Sequence, residues 1–121
     1  HLRQAVTNLV SNAIKHTPSG SEIDLSACVD GDLAVISVRD HGPGLTDEAR
    51  ARVFERFWQA DSARVGKGAG LGLSIVDSIT KEHGGSARAT NAPDGGAVFT
   101  IEIPINRATE AAEPAQEEVT R

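Results

Sequence analysis

This 121-residue sequence has one cysteine and few aromatic residues, and its acidic residues outnumber its basic ones. Cys28 is the only cysteine, which excludes an internal disulfide and favours a reducing compartment such as the cytoplasm. The net charge of −5 gives no support for nucleic-acid binding. No apolar run approaches the length that spans a bilayer, and no signal-peptide pattern is present, so we expect no membrane contact from these residues.

The length and ordinary composition, 39% hydrophobic and 24% charged, predict a single globular domain. We expect this domain to occupy residues 1–105. Residues 106–121 are rich in Ala and Glu without an apolar pattern, which predicts a disordered tail. The sequence opens with His1 inside a helical pattern, so we expect a piece of a longer protein, with any membrane anchor of that parent lying outside it.

Hydrophobic periodicity predicts helices that alternate with hairpins. The predicted elements are a helix over 1–17, strands over 23–29 and 33–39, a short helix over 46–53 capped by Thr46, a helix over 70–83, and strands over 86–90 and 98–103. This order indicates an α+β sandwich, with helices on one face of a mixed, mostly antiparallel sheet. Residues 54–69 have no clear period, and a loop of that length predicts a lid.

Residues 66–74 hold four of the twelve glycines. A glycine-rich loop that opens a helix suits phosphate, because the free N–H groups of the first turn and the helix dipole attract anions. Glycine also lets an anion approach the backbone closely. A mobile surface loop is the alternative interpretation of this stretch taken alone.

Polar residues at helical spacing form a second candidate group in the first helix. Asn8, Asn12 and Lys15 lie within roughly 60° of one another around the helix axis. An asparagine oxygen can bind Mg²⁺, and a lysine on the same face can pair with a phosphate. The alternative is a solvated helix face that tolerates two asparagines.

Asp40, Gly42 and Gly44 follow the second predicted strand. A carboxylate at a strand end, beside glycines that permit close approach, suits recognition of a flat polar ligand. An ordinary Asp-x-Gly-x-Gly turn is the alternative. Phe54 and Phe57 are three residues apart and are expected to dock one end of the lid on the core. The local cations of this region, for which a surface role is the alternative, are Arg52, Arg56, Arg64 and Lys67.

In their order and spacing these groups resemble the ATP-binding catalytic domain of bacterial sensor histidine kinases. The matching segments are residues 8–17 (the N box), 40–44 (G1 box), 54–57 (F box) and 68–74 (G2 box), and the resemblance extends to about residue 105. It implies the Bergerat-type two-layer α/β sandwich that GHKL ATPases share.

The resemblance also implies roles for individual residues. Asn12 is expected to bind Mg²⁺, with Asn8 and Lys15 beside the phosphates of ATP and His16 beside the nucleotide. Asp40 is expected to accept from the adenine amino group, and Arg56 resembles the arginine on the lid side. Asn8, Asn12, Lys15 and Arg56 are the expected catalytic residues. The remaining residues expected to contact ATP are Gly42, Gly44, Phe57, Arg64, Lys67, Gly68, Gly70, Leu71, Gly72 and Leu73.

The sequence departs from the family pattern in three places. The family usually has another strand before the first helix, so we expect that strand to be missing here. Ala97 stands where threonine is common in the family's last glycine motif. None of the histidines, His1, His16, His41 and His83, is followed by the pattern of a phosphoacceptor helix.

We therefore expect a protein-histidine kinase domain that presents the γ-phosphate of ATP to a histidine on a separate dimerisation domain, with a response regulator downstream. An ATP hydrolase or a serine kinase of the anti-sigma-factor type is a second hypothesis. Such relatives typically carry Glu at the position of Asn8, where a carboxylate can act as general base and an amide cannot. A non-catalytic module, in which nucleotide orders the lid for a partner, is a third.

Overall fold

The computed structural model describes residues 1–58 and 72–105. The elements follow in the order α1 (Leu2–Lys15), β1 (Ile23–Asp30), β2 (Leu33–Asp40), α2 (Asp47–Arg52), α3 (Gly72–Glu82), β3 (Ser86–Asn91) and β4 (Ala97–Pro104). The predicted lid falls largely, and the predicted tail entirely, on residues outside the described part of the chain.

The four described strands form one sheet with the order β1-β2-β4-β3, and every pairing in it is antiparallel. β2 and β4 are central, with Val38 opposite Phe99 and Ile36 opposite Ile101. The strand that was predicted to end at Arg39 continues through Asp40, because Asp40 still pairs with Ile23 of β1. This one-residue extension places the Asp40 carboxylate at the last position of a paired strand.

α1 and α3 cover one face of the sheet and bury its centre. The buried core consists of apolar residues from both helices and the sheet: Ala5, Leu9, Ala13, Val38, Leu73, Val76, Ile79, Ala89, Ala97, Phe99 and Ile101. The predicted two-layer α+β architecture is confirmed. β1 is an edge strand with little cover, since Leu25 and Val29 are 57% and 51% exposed. The expectation of an additional strand before α1 stays a prediction.

Local contacts define the start of α2 and the end of α3. The Thr46 hydroxyl accepts from the Ala49 amide at 3.0 Å and caps α2. Gly84 has φ +79, and the Gly85 amide donates to the Thr80 carbonyl, so α3 ends at a left-handed glycine. In the part of the chain that the structure describes, no helix combines the length and the apolar character that a membrane span requires.

Candidate functional site

Asp40 is a buried carboxylate whose two oxygens have different environments. It is 5% exposed, and its Oδ1 accepts from the backbone amides of Gly42 and Ala97, each at 3.0 Å. Among the described residues, no donor contacts Oδ2. The two backbone amides therefore fix the orientation of the carboxylate while one oxygen stays available to a ligand that donates a hydrogen bond.

The loop after Asp40 packs so tightly that two of its glycines cannot carry side chains freely. A Cβ on Gly42 would lie 3.1 Å from both the His16 carbonyl oxygen and the Thr17 Cγ2. Gly44 has φ +86, a conformation that favours glycine. The loop thus lies against the carboxyl end of α1, and this packing brings the predicted G1 and N boxes together.

Gly96 is a further required glycine beside Asp40. Its φ is +90, and a Cβ there would lie 2.0 Å from the Asp40 carbonyl oxygen. The next residue, Ala97, contributes its backbone N–H to the Asp40 carboxylate. The alanine in place of the family's threonine leaves this contact intact, because the backbone makes it. Gly96 was not among the predicted site residues, although the sequence motif around it was recognised.

The two asparagines of α1 differ in their partners. The Asn8 Nδ2 donates to the Gly72 carbonyl oxygen at 3.2 Å, and its Oδ1 accepts from the Gln4 side chain at 3.1 Å. Asn12 is half-buried, and within the described structure its side chain makes no hydrogen bond. Asn8 therefore joins α1 to the start of α3, whereas the Asn12 amide is open to a ligand.

Lys15 and His16 lie at the exposed end of α1. Lys15 is in the last turn, and it forms no ion pair with any described residue. His16 caps the helix, and its backbone amide is shared between the carbonyls of Asn12 and Ala13 at 3.2 and 3.3 Å. Both side chains are exposed, and the G1 loop packs near the His16 backbone carbonyl at this end of α1.

α3 begins at the glycine-rich segment. Gly72 is exposed at its first position, and Leu73 is 8% exposed in the core. Gly72 meets Asn8 through its carbonyl oxygen, so the first turn of α3 lies beside the polar face of α1. The predicted contacts of Arg64, Lys67, Gly68, Gly70 and Leu71 lie outside the described residues.

Only one of the two F-box phenylalanines docks on the core. The Phe54 ring packs edge-on against Phe99, with 6.4 Å between centroids. Phe57 is 62% exposed with φ +65, so its expected docking is wrong. The Arg56 guanidinium lies 5.2 Å from the centroid of the exposed Phe57 ring. The two side chains therefore form a cation–π contact outside the core.

Arg56 lines an open cleft of about 400 Å³ that is separate from Asp40. The residues around it come from the F box and the first turns of α3: Phe54, Arg56, Ser74, Ile75, Asp77 and Ser78. No described hydrogen bond or ion pair joins Arg56 to Asn8, Asn12 or Asp40. The structure therefore assembles the N box, the G1 loop and the start of α3, and leaves Arg56 on another side of α3.

Comparison with known proteins identifies the family of this chain. Residues 1–107 match the family described as histidine kinase-, DNA gyrase B-, and HSP90-like ATPase. The chain belongs to this family. The resemblance to histidine kinase catalytic domains is confirmed, because sensor histidine kinases are among the proteins similar to this chain.

One curated relative is the sensor histidine kinase component HK1 of Mycobacterium tuberculosis, which is 48% identical over 107 residues. The match covers 88% of this chain and 62% of that relative. The chain thus spans less than two thirds of the relative's length, and much of that protein has no counterpart here.

Two solved structures show the same fold. The mycobacterial sensor histidine kinase MprB superposes with a TM-score of 0.75 at 36% identity, over 84% of this chain and 70% of that one. Full-length ShkA in complex with AMPPNP superposes with a TM-score of 0.72 at 40% identity, over 85% of this chain and 21% of that one.

Proposed function

We propose that this chain is the ATP-binding catalytic domain of a sensor histidine kinase. It binds ATP with Mg²⁺ and presents the γ-phosphate to a histidine on a separate dimerisation domain. The observation that carries the proposal is the buried Asp40 carboxylate, whose Oδ1 is held by two backbone amides and whose Oδ2 receives no donor from the described residues. ShkA, which superposes on this chain with a TM-score of 0.72, was solved in complex with the ATP analogue AMPPNP.

The adenine base of ATP supplies a hydrogen-bond donor for Asp40 Oδ2, which none of the described residues provides. The exocyclic amino group of adenine donates a hydrogen bond, whereas guanine presents a carbonyl oxygen at the same ring position. A buried carboxylate oxygen facing that carbonyl would lose a partner and repel it, which costs more than an exposed mismatch. Gly42 and Gly44 lie in the loop after Asp40, where Gly42 packs against the end of α1 and Gly44 against Asn91, and we assign this loop as the wall beside the base.

The phosphate end lies between α1 and the start of α3. Asn12 has an unoccupied amide oxygen, and Lys15 has an unpaired ammonium group among the described residues. Mg²⁺ commonly takes one or two protein oxygens, completing its shell with phosphates and waters, so the single open amide of Asn12 fits that ion. When bound, the ion neutralises negative charge on the phosphates. Lys15 and the amino end of α3 add positive potential on the same side.

Asn8 favours transfer to an external acceptor over hydrolysis. Its amide is a neutral group that cannot remove a proton from water, and it already bonds to Gly72 and Gln4. A carboxylate at this position would place negative charge against the Gly72 carbonyl. The residues that position ATP are thus present, while the base that a hydrolase of this fold would use is replaced by a structural amide.

The acceptor histidine and the response regulator belong to the proposal for the whole protein. Incubation of the chain with γ-labelled ATP is expected to leave the chain unlabelled, and addition of a matching dimerisation domain is expected to label that domain on histidine. The Asp40→Ala variant serves as the control without nucleotide. ATP binding without transfer to any acceptor would contradict the kinase assignment, and brisk steady-state phosphate release would favour the hydrolase.

A further inference from the structure

Asn91, the last residue of β3, holds a backbone segment that lies 46 positions away in the sequence. Its Oδ1 accepts from the Leu45 amide at 2.8 Å, and its Nδ2 donates to the Leu45 carbonyl oxygen at 2.9 Å. One side chain therefore satisfies both polar groups of the Leu45 backbone, as a neighbouring strand would.

The cross-strand partner of Asn91 holds the other end of the same loop. Asn91 pairs with Ala97 in the β3–β4 hairpin, and the Ala97 amide donates to the Asp40 carboxylate. The β3–β4 hairpin thus holds both ends of residues 40–45 by hydrogen bonds. The Ala97 backbone amide bonds to Asp40, and the Asn91 side-chain amide bonds to Leu45. Gly42, inside this span, donates to the same Asp40 oxygen.

Gly44 leaves room for the amide oxygen of Asn91. A Cβ at Gly44 would lie 3.0 Å from Asn91 Oδ1, so the amide and the bare glycine backbone fit one another. An aspartate at position 91 would keep the acceptor for the Leu45 N–H but would turn its second oxygen towards the Leu45 carbonyl. Alanine and serine are too short to bridge both groups.

We infer that Asn91 is a positioning residue for the adenine wall, an inference that rests on the proposed nucleotide-binding function. It acts on the ligand through the loop it fixes, and it does not touch the transferred phosphate. Because these hydrogen bonds act at the base end of the nucleotide, their loss weakens the binding of ATP and of ADP by the same factor. Both hydrogen bonds are exposed and each contributes modestly, so Asn91→Ala is expected to weaken binding about 3- to 10-fold.

The test measures ATP and ADP affinity by calorimetry for the wild-type chain, Asn91→Ala, Asn91→Asp and Thr90→Ala. Thr90 is the preceding exposed residue of the same strand, so its variant controls for perturbation of β3. We expect both Asn91 variants to lose affinity equally for the two nucleotides, with Thr90→Ala unchanged. Amide hydrogen exchange at Leu45 is expected to accelerate only in the Asn91 variants. Asn91→Asp is isosteric and keeps the test informative if Asn91→Ala folds poorly.

The outcomes separate the two proposals. Unchanged affinity in both Asn91 variants, with binding lost in Asp40→Ala, would overturn the positioning role alone. A loss confined to ATP would also overturn it, because that pattern places the effect at the phosphate end. A wild-type chain that binds neither nucleotide would overturn the proposed function and the positioning role together.

Discussion

The Asn8 amide nitrogen donates to the Gly72 carbonyl oxygen across 3.2 Å, and this bond ties the polar face of α1 to the first residue of α3. An aspartate at position 8 would be nearly isosteric but would have no donor for that carbonyl. We expect Asn8→Asp to destabilise the chain by about 0.5–1.5 kcal/mol in urea unfolding. Asn12→Asp is the matched control, because it makes the same change one helical turn later, at a side chain that forms no hydrogen bond with the described residues. Equal losses in both variants would contradict the structural role of Asn8.

A second prediction concerns base selection by Asp40. In Asp40→Asn, Oδ1 can still accept from Gly42 and Ala97, but an NH₂ group replaces the free oxygen. We expect ATP affinity to fall about 10- to 100-fold, because two donors then face each other. GTP, which offers a carbonyl at that position, should gain relative to ATP. Calorimetry with both nucleotides checks this, with Asp30→Asn as an exposed control for the change of charge. An unchanged ATP-to-GTP ratio would argue against the adenine contact.

The sequence predicted the parts of the fold that depend on local patterns. α1 and the β1–β2 hairpin follow from the spacing of apolar residues. Asp40 stands out in the sequence because its motif is contiguous, and the structure buries it at the end of β2. Asn91 and Gly96 lie in the predicted connection between the last two strands, and neither was among the predicted site residues. Their roles arise from contacts with Asp40 and Leu45, more than forty positions away, which only the strand order β2-β4-β3 creates.

Phe57 was predicted to pack on the core, but the structure exposes it. Its spacing from Phe54 suggested that both rings enter the core, but the backbone at Phe57 takes φ +65 and turns the second ring out to Arg56. Nothing in the apolar spacing of residues 54–57 encodes that reversal. Contiguous motifs therefore pointed to candidate ligand-facing residues, whereas residues that position them through tertiary contacts needed the structure.

Asn12 provides a prediction that separates metal binding from stability. Because its side chain makes no hydrogen bond in the described structure, Asn12→Ala should leave stability unchanged or raise it by a few tenths of a kcal/mol, owing to the helix propensity of alanine. The increase in ATP affinity that Mg²⁺ produces should largely disappear. Titration with ATP in Mg²⁺ and in EDTA measures that increment, and Ser11→Ala is the neighbouring control. A full Mg²⁺ effect in Asn12→Ala would remove Asn12 from the metal site.

Gly95 and Gly96 form a matched pair that tests the close contact beneath Asp40. Both have positive φ, +115 and +90, but only a Cβ on Gly96 would meet the Asp40 carbonyl oxygen, at 2.0 Å. We expect Gly95→Ala to cost about 1 kcal/mol from backbone strain alone, and Gly96→Ala at least about 2 kcal/mol, with weaker ATP binding as Asp40 shifts. Urea unfolding and calorimetry on both variants check this. Similar effects from the two substitutions would mean that the clash at Gly96 is relieved elsewhere.

The last prediction concerns acid stability of the β3–β4 hairpin. The Arg39 guanidinium donates to Asp94 Oδ1 at 2.7 Å, and this hydrogen bond, with a backbone hydrogen bond and the charge of Arg39, lowers the pKa of the Asp94 carboxyl. Since the folded pKa lies below the unfolded value of about 3.9, the contribution of Asp94 is complete above that value and is lost as the pH falls through the folded pKa.

Asp94→Asn removes this titration while keeping an oxygen for Arg39. The difference in unfolding free energy between the wild-type chain and Asp94→Asn should be constant from pH 7 to about pH 5 and should then shift against the wild type below about pH 4. The shift should be small, because Asp94 is exposed. Urea unfolding at several pH values measures it. A difference that instead grew in favour of the wild type on acidification would mean that Arg39 does not stabilise the ionised carboxylate.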